Sequence, residues 1–138
     1  MRTSLKTISF LATLAVLAVL AVLTTVPVAV AAGGFAVSFQ WDGTGKCFDP
    51  LSPPFILHNV PAGTDRLRFT MTDLNKPTFQ HGGGEIVYTG RNTIPRGAFS
   101  YRGPCPPHGH HRYRWTVDAL DGTGHLLAEA EAVKQFPP

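Results

Sequence analysis

The sequence predicts an all-β domain, a sandwich of mostly antiparallel strands joined by loops rich in glycine and proline. Three observations support this fold class. Apolar residues alternate with polar ones in most stretches where a period can be counted. Turn signals containing glycine or proline separate these stretches, and no long helical period appears beyond the N-terminal segment. Several short strands separated by such turns are typical of sandwiches.

Residues 1–32 have the composition of a cleaved signal peptide rather than of a folded element. Arg2 and Lys6 make the start basic, residues 8–30 carry no charge, and residues 29–32 are the small residues that a signal peptidase needs. We therefore expect an exported protein, either periplasmic or secreted. A retained membrane anchor is the alternative, because the apolar run approaches the roughly 20 residues that span a bilayer.

The remaining chain, residues 33–138, is long enough for one domain with a single core. Removal of the first 32 residues leaves ten basic and nine acidic residues, a net charge of +1. No basic patch remains, so the sequence gives no support to nucleic-acid binding, and we expect no nucleic-acid partner.

The two cysteines, Cys47 and Cys105, are predicted to form one disulfide. An even number of cysteines in an exported protein usually pairs, because the compartment is oxidising. Closing so long a loop stabilises a fold by about 4 kcal/mol on the chain-entropy estimate. The alternative is a reactive thiol, which needs an electropositive partner that the sequence does not identify.

The first strands are predicted where apolar residues occupy every second position, over residues 35–41 and 66–72. In each, one face is apolar and the other is small or polar, as in a half-buried strand. Turn signals lie at residues 42–45, 61–64, 81–84 and 121–124.

Two further strands are predicted in the C-terminal part. Over residues 111–119, His111, Tyr113 and Trp115 share one face with the apolar residues that follow. Residues 126–136 are ambiguous, because alanine and glutamate favour a helix whereas strict alternation favours a strand. We predict a strand there.

A stiff loop precedes the strand at residues 111–119. Pro104, Pro106 and Pro107 have fixed φ angles and no N–H group, so they cannot lie inside a ladder and must hold a turn in one shape. A rigid loop of this kind can preorganise a binding site and so lower the ordering cost of binding.

Two segments carry a resemblance to a known family: "DLNKPTFQHGGG", residues 73–84, and "GPCPPHGHHRYRW", residues 103–115. Together they resemble the phosphatidylethanolamine-binding protein family, in particular its bacterial branch, often labelled Raf-kinase-inhibitor-like. The resemblance covers most of residues 35–136. The matching residues in chain order are Asp73, Asn75, Pro77, His81, Gly103, Pro106, Pro107, His111, Arg112 and Tyr113.

The resemblance implies a β-sandwich with a small pocket for an anionic head group such as phosphate, lined by analogy by Asp73, His81, Pro107, His111 and Tyr113. The implied partner is a phosphate-bearing small molecule or a phospholipid head group resembling that of phosphatidylethanolamine, with peripheral contact to a membrane. We expect no cofactor and no metal.

The residues themselves add to this prediction. Successive glycines after His81 can present backbone N–H groups as an anion nest. Pro106 and Pro107 would form a rigid apolar wall, and the alternation places His111 and Tyr113 so that their polar atoms converge. The complete predicted ligand-binding set is Asp73, Pro77, His81, Gly82, Gly83, Pro106, Pro107, His111 and Tyr113.

The sequence departs from the family pattern within the first motif. The proline expected after Asp73 is absent, the second carboxylate is replaced by the neutral Asn75, and Lys76 adds a cation. Gly82 stands where many members have a bulky residue, and the chain is short for the family. We therefore expect a wider, more open pocket.

Three other functions have less support in the sequence than a binding protein. Metal binding by His108, His110 and His111, with His81, lacks the regular spacing of zinc motifs. The sequence contains neither the GxSxG motif of serine hydrolases nor the HExxH motif of zinc proteases. Asp73 and His81 could act as an acid and base pair, but no nucleophile is identified beside them, so we do not expect an enzyme. Inhibition of an extracytoplasmic partner protein is a third alternative, for which the sequence names no partner.

Overall fold

The computed structural model describes residues 33–137, and the signal-peptide prediction falls on residues 1–32, outside the described residues. Within residues 33–137, no helix is both long and apolar enough to cross a membrane. The seven strands of this part of the chain are β1 (Ala36–Phe39), β2 (Phe55–His58), β3 (Arg66–Asp73), β4 (Gln80–Val87), β5 (Thr93–Ile94), β6 (His111–Leu120) and β7 (Leu126–Phe136).

The strands form two antiparallel sheets, one of three strands in the order β1-β2-β5 and one of four in the order β4-β3-β6-β7. The predicted all-β fold class is therefore confirmed. Strand β3 lies in the middle of the larger sheet, where it pairs with β4 on one side and with β6 on the other. This arrangement brings one end of all three strands together.

The core lies between the two sheets and is rich in aromatic rings. Phe55 of the smaller sheet packs against Phe69 and Trp115 of the larger one, with ring centroids 4.8 and 5.2 Å apart. These side chains come from alternate positions of their strands, as the period of two predicts. Aromatic pairs of this kind contribute more than their buried area alone.

The C-terminal segment is a strand, as predicted. It pairs with β6 from His111, opposite Phe136, to Leu120, opposite Leu126, with one irregularity near the end. Alanine and glutamate favour a helix, but pairing with a buried neighbouring strand outweighs that preference.

The turn predicted at residues 81–84 is wrong, because glycine residues 82–84 belong to strand β4. Gly83 lies opposite Thr70 and Gly84 opposite Phe69 in the ladder. A side chain at Gly83 would overlap the backbone of Phe69, and one at Gly84 would overlap the ring of Phe99. The glycines therefore allow close packing within the sheet, a role that local turn signals do not reveal.

The predicted disulfide joins Cys47 to Cys105, across 58 residues of chain, with their Cα atoms 4.6 Å apart. Next to it, the buried carboxylate of Asp49 accepts a hydrogen bond from Arg96 at 2.7 Å. Gly103 allows a close approach here, because a Cβ atom at this position would lie 2.5 Å from the Asp49 carbonyl oxygen. The segment before β2 is thus fixed against the proline loop before β6.

Candidate functional site

A cavity of about 400 Å³ opens at the end of the larger sheet where β3 finishes and β4 and β6 begin. Four of the predicted ligand-binding residues line it, and five further residues that were not in that set do so too. The lining residues are Phe48, Asp73, Asn75, Lys76, Phe79, His81, Cys105, Pro107 and His111.

Antiparallel pairing explains how distant residues meet at this cavity. Asp73 is the last residue of β3, His81 the second of β4 and His111 the first of β6. Because both neighbours run opposite to β3, their first residues lie beside its last ones. The two motifs that carry the family resemblance therefore contribute to the same cavity.

Asp73 and His111 form a hydrogen-bonded pair, with Asp73 Oδ2 2.7 Å from His111 Nδ1. The other carboxylate oxygen accepts the backbone N–H groups of Asn75 at 2.8 Å and Lys76 at 3.1 Å. Burial by itself raises the pKa of Asp73, but the hydrogen bonds from His111 and Asn75 and the His111 charge outweigh it, so the pKa falls below its ordinary value. The Asp73 carboxylate is therefore ionised at neutral pH, and His111 donates to it from Nδ1.

His81 is held by the backbone of the proline loop and is only 3% exposed. Its Nδ1 lies 2.6 Å from the carbonyl oxygen of Arg102, which can only accept, so Nδ1 carries the proton. The N–H group of Arg102 in turn donates to the carbonyl oxygen of His81 at 2.8 Å. The buried Nε2 atom of His81 has no hydrogen-bond partner among the described residues.

The two imidazoles are thus fixed in the same way, with Nδ1 used as a donor and Nε2 left for a ligand. A neutral ring with this tautomer accepts at Nε2, and a protonated ring donates there. When neutral, His81 and His111 can therefore accept a hydrogen bond from the hydroxyl group of an oxyanion such as monohydrogen phosphate. When protonated, they can donate hydrogen bonds to its oxygens.

Tyr113 does not line the cavity, which differs from its predicted role as a ligand donor. The side chain is completely buried, and its ring packs 5.5 Å from the His81 ring and 6.2 Å from the His111 ring. Its hydroxyl forms no hydrogen bond of good geometry with the described residues. Burial, together with the nearby Asp73 charge, raises the pKa of Tyr113. The tyrosine ring therefore packs against both imidazole rings from the core.

Four other predicted residues also lie outside the lining of the cavity: Pro77, Gly82, Gly83 and Pro106. Pro77 is exposed in the turn after β3, and Pro106 is half-buried beside Pro107, which does line the cavity. The proposed nest of glycine N–H groups does not form at the cavity, because Gly83 is paired within the sheet.

Asn75 and Lys76, which mark the departure from the family pattern, both line the cavity. The side-chain oxygen of Asn75 accepts the backbone N–H of Arg112 at 2.8 Å and so ties the turn after β3 to the start of β6. Lys76 forms no salt bridge with any residue of the described part of the chain, which leaves its charge for a ligand.

Aromatic residues at the cavity were missed by the sequence analysis. Phe48 is 43% exposed, and its ring lies 6.1 Å from that of Phe79 at an angle of 16°. The guanidinium carbon of Arg102 lies 4.5 Å from the centroid of the Phe48 ring and 4.7 Å from that of Phe79. Phe79 lies inside the first quoted motif and Phe48 follows a predicted disulfide cysteine, which are the signals that could have identified them.

The histidine cluster considered for metal binding is not assembled. Within residues 33–137, no group of three or more histidine, cysteine, aspartate or glutamate side chains is placed to hold a metal ion. His108 and His110 are exposed, and His110 Nδ1 lies 3.2 Å from the carbonyl oxygen of Pro137. His111 is directed to Asp73 instead.

Comparisons with known proteins support the fold and identify a related family. The sequence profile of the family described as phosphatidylethanolamine-binding protein matches residues 80–136, which include both cavity histidines. A phosphatidylethanolamine-binding protein homologue from Chlamydia trachomatis is similar in structure, with a TM-score of 0.58, 19% identity, and coverage of 75% of this chain and 97% of that chain. YbcL of Escherichia coli, described as a new member of the mammalian family, is similar in structure with a TM-score of 0.57 and 19% identity. The match covers 74% of this chain and 97% of YbcL. No curated protein matches.

Proposed function

From the match of residues 80–136 to the phosphatidylethanolamine-binding protein family and the fold shared with the two solved structures, we propose that the chain is an exported, non-catalytic member of this family that binds phosphate or a phosphorylated head group in the cavity described above. The observation that carries the proposal is the pair of imidazoles at the cavity, His81 and His111, each anchored through Nδ1. The buried Nε2 of His81 has no hydrogen-bond partner within residues 33–137.

The surroundings of the imidazole pair favour binding of an oxyanion. The unpartnered Nε2 of His81 is buried, and an unsatisfied buried polar atom is costly until a ligand supplies a partner. Lys76 adds a positive charge at the same cavity. Phe48, Phe79 and Pro107 make the remaining wall apolar, which strengthens electrostatic contacts by lowering the local dielectric.

The composition of the lining supports a binding role over catalysis. No serine or threonine is among the nine lining residues, and both cysteines of the chain are joined in the disulfide. The Asp73 carboxylate is fully engaged by His111, Asn75 and Lys76. A hydrolytic enzyme with a covalent intermediate needs an activated nucleophile, which these described residues do not provide.

Export is supported by the disulfide between Cys47 and Cys105, since such bonds persist in oxidising compartments. Together with the signal-like composition of residues 1–32, it favours a periplasmic or secreted protein. Detection of the protein in periplasmic and culture-medium fractions, with the N-terminal residue identified by mass spectrometry, tests this part of the proposal.

The binding proposal is tested by isothermal titration calorimetry with inorganic phosphate and O-phosphoethanolamine. His111→Gln is expected to weaken binding at least tenfold, because the variant loses the imidazole Nε2 and the hydrogen-bonded pair with Asp73. His58→Gln is the matched control, since His58 is an exposed histidine on β2 away from the cavity lining. Equal binding by wild type and His111→Gln would overturn the proposal.

A further inference from the structure

We propose that Phe48 and Phe79 form an aromatic shelf at this cavity that selects phosphate monoesters carrying an aromatic substituent. The inference rests on the proposed function, because it takes the imidazole pair as the site of the phosphate group. It goes further by naming the chemistry of the group attached to that phosphate.

The cavity has room for more than an inorganic ion. Its volume of about 400 Å³ falls within the range of pockets that enclose small organic ligands. Its polar groups come from the strand ends and the turn after β3, whereas Phe48, Phe79 and Pro107 supply aromatic and apolar surface. A ligand that fills this space therefore has one anionic end and one apolar end.

Phe48 is an exposed aromatic side chain that the backbone holds in place. It adopts a positive φ of 56°, a conformation that is unfavourable for a bulky residue. The disulfide fixes Cys47 on one side of it, and the Arg96 ion pair fixes the buried Asp49 on the other. These two neighbours hold Phe48 in its unfavourable backbone conformation. Because the ring is already fixed, a ligand does not pay the entropic cost of ordering it.

The geometry of the two rings determines how a ligand can contact them. They are nearly parallel, at 16°, with centroids 6.1 Å apart, so a third ring does not fit between them. The ligand must instead lie across the exposed surface of Phe48. A flat aromatic substituent covers this surface better than a branched or flexible one.

Arg102 adds a charge to the same shelf. Its guanidinium group lies over both rings, and it forms no salt bridge within residues 33–137. The cation holds the rings together by cation–π attraction. Its charge also favours anionic ligands over neutral aromatic ones.

A phospholipid head group is a poorer match to the shelf. The groups next to phosphorus in such lipids are glycerol and ethanolamine, which are polar and gain little from contact with Phe48 and Phe79. An aryl ester of phosphate gains contact with the rings and keeps two ionisable oxygens for His81 and His111. The shelf therefore favours the aryl ester.

The test compares the affinities of phenyl phosphate, methyl phosphate and O-phosphoethanolamine by calorimetry. We expect phenyl phosphate to bind about tenfold more tightly than methyl phosphate, the gain expected from stacking and burial of one ring. Phe48→Ala should bring the ratio of the two affinities close to one, and Phe48→Leu should restore the preference only in part. Ile56→Ala, which truncates an exposed apolar residue on β2, is the control and should change neither affinity.

The outcomes separate the inference from the proposed function. If phenyl and methyl phosphate bind equally well, or if O-phosphoethanolamine binds most tightly, the aromatic shelf is wrong and the phosphate site stands. If no phosphate compound binds to the folded wild-type protein, both are wrong. Thermal melting of each variant shows whether it is folded, and a folded Phe48→Leu that keeps the full preference for phenyl phosphate contradicts the need for a ring.

Discussion

The Nδ1 atom of His111 lies 2.7 Å from the Oδ2 atom of Asp73, although 38 residues separate the two in the chain. This hydrogen bond joins the end of β3 to the start of β6 and fixes the tautomer of an imidazole that lines the cavity. The same carboxylate caps the turn after β3 through the N–H groups of Asn75 and Lys76. Asp73 therefore stabilises the turn after β3 and also orients the His111 ring through a charged hydrogen bond.

Replacement of Asp73 tests this double role. Asp73→Ala is expected to destabilise the fold by about 2–3 kcal/mol, because it leaves two turn N–H groups and His111 without their acceptor. Urea unfolding followed by tryptophan fluorescence measures the loss. Asp42→Ala, in an exposed turn, is the control and should stay within about 0.5 kcal/mol of wild type. A loss of that small size for Asp73→Ala would contradict the described hydrogen bonds.

Acid unfolding should also report on Asp73. Its pKa is lowered in the folded protein from the ordinary value of 3.8, so the folded state binds the proton less well than the unfolded chain does. The stabilising contribution is therefore complete above that ordinary value and disappears as the pH falls through the lowered one. Stability measured between pH 2 and pH 6 should drop less steeply for Asp73→Asn than for wild type, and parallel curves would refute the lowered pKa.

Two substitutions at Tyr113 distinguish a buried support from a ligand donor. Tyr113→Phe should stay within about 1 kcal/mol of wild type and keep phosphate binding, because the hydroxyl forms no hydrogen bond of good geometry with the described residues and the side chain does not line the cavity. Tyr113→Ala should lose about 3–5 kcal/mol, since it leaves a large cavity under both imidazoles. Loss of phosphate binding in a stable Tyr113→Phe protein would restore the direct role that the sequence predicted.

Removal of the disulfide should affect stability and selectivity together. The double variant Cys47→Ser, Cys105→Ser is expected to lose about 2–5 kcal/mol of stability. Because Phe48 is adjacent to Cys47, the preference for phenyl over methyl phosphate should also fall, whereas inorganic phosphate should still bind. Thermal melting and calorimetry measure the two effects. A variant that keeps the full aryl preference would show that the disulfide does not position the shelf.

The strands and the disulfide could be predicted because their signals are local or depend on composition. Alternation of apolar residues predicted β3, β6 and β7. The inward side chains of β3 and β6 are buried as expected, whereas in β7 only Ala130 is buried. Glycine residues 82–84 were misread because their requirement comes from the approach of Phe69 and Phe99, which are distant in sequence. A glycine triplet is compatible both with a turn and with a closely packed strand, and the sequence alone does not distinguish them.

The cavity could be predicted only in part. Four of its residues, Asp73, His81, Pro107 and His111, were in the predicted ligand-binding set, and all four lie on the motifs that carry the family resemblance. Strand alternation places Tyr113 on the same face as His111, but Tyr113 lies opposite Asp73 in the ladder and its side chain is buried in the core. Phe48 reaches the cavity only because the disulfide draws its segment to the proline loop, and no local pattern encodes such a long-range contact.

Nitrogen NMR of the histidine rings tests most directly whether a phosphate group is held by the Nε2 atoms of His81 and His111. On titration with inorganic phosphate, the Nε2 resonances of these two residues should shift together with one dissociation constant. Those of His58 and His125, exposed and away from the cavity lining, should not move. Shifts confined to the exposed His108 and His110, or no shift at any ring, would contradict the account.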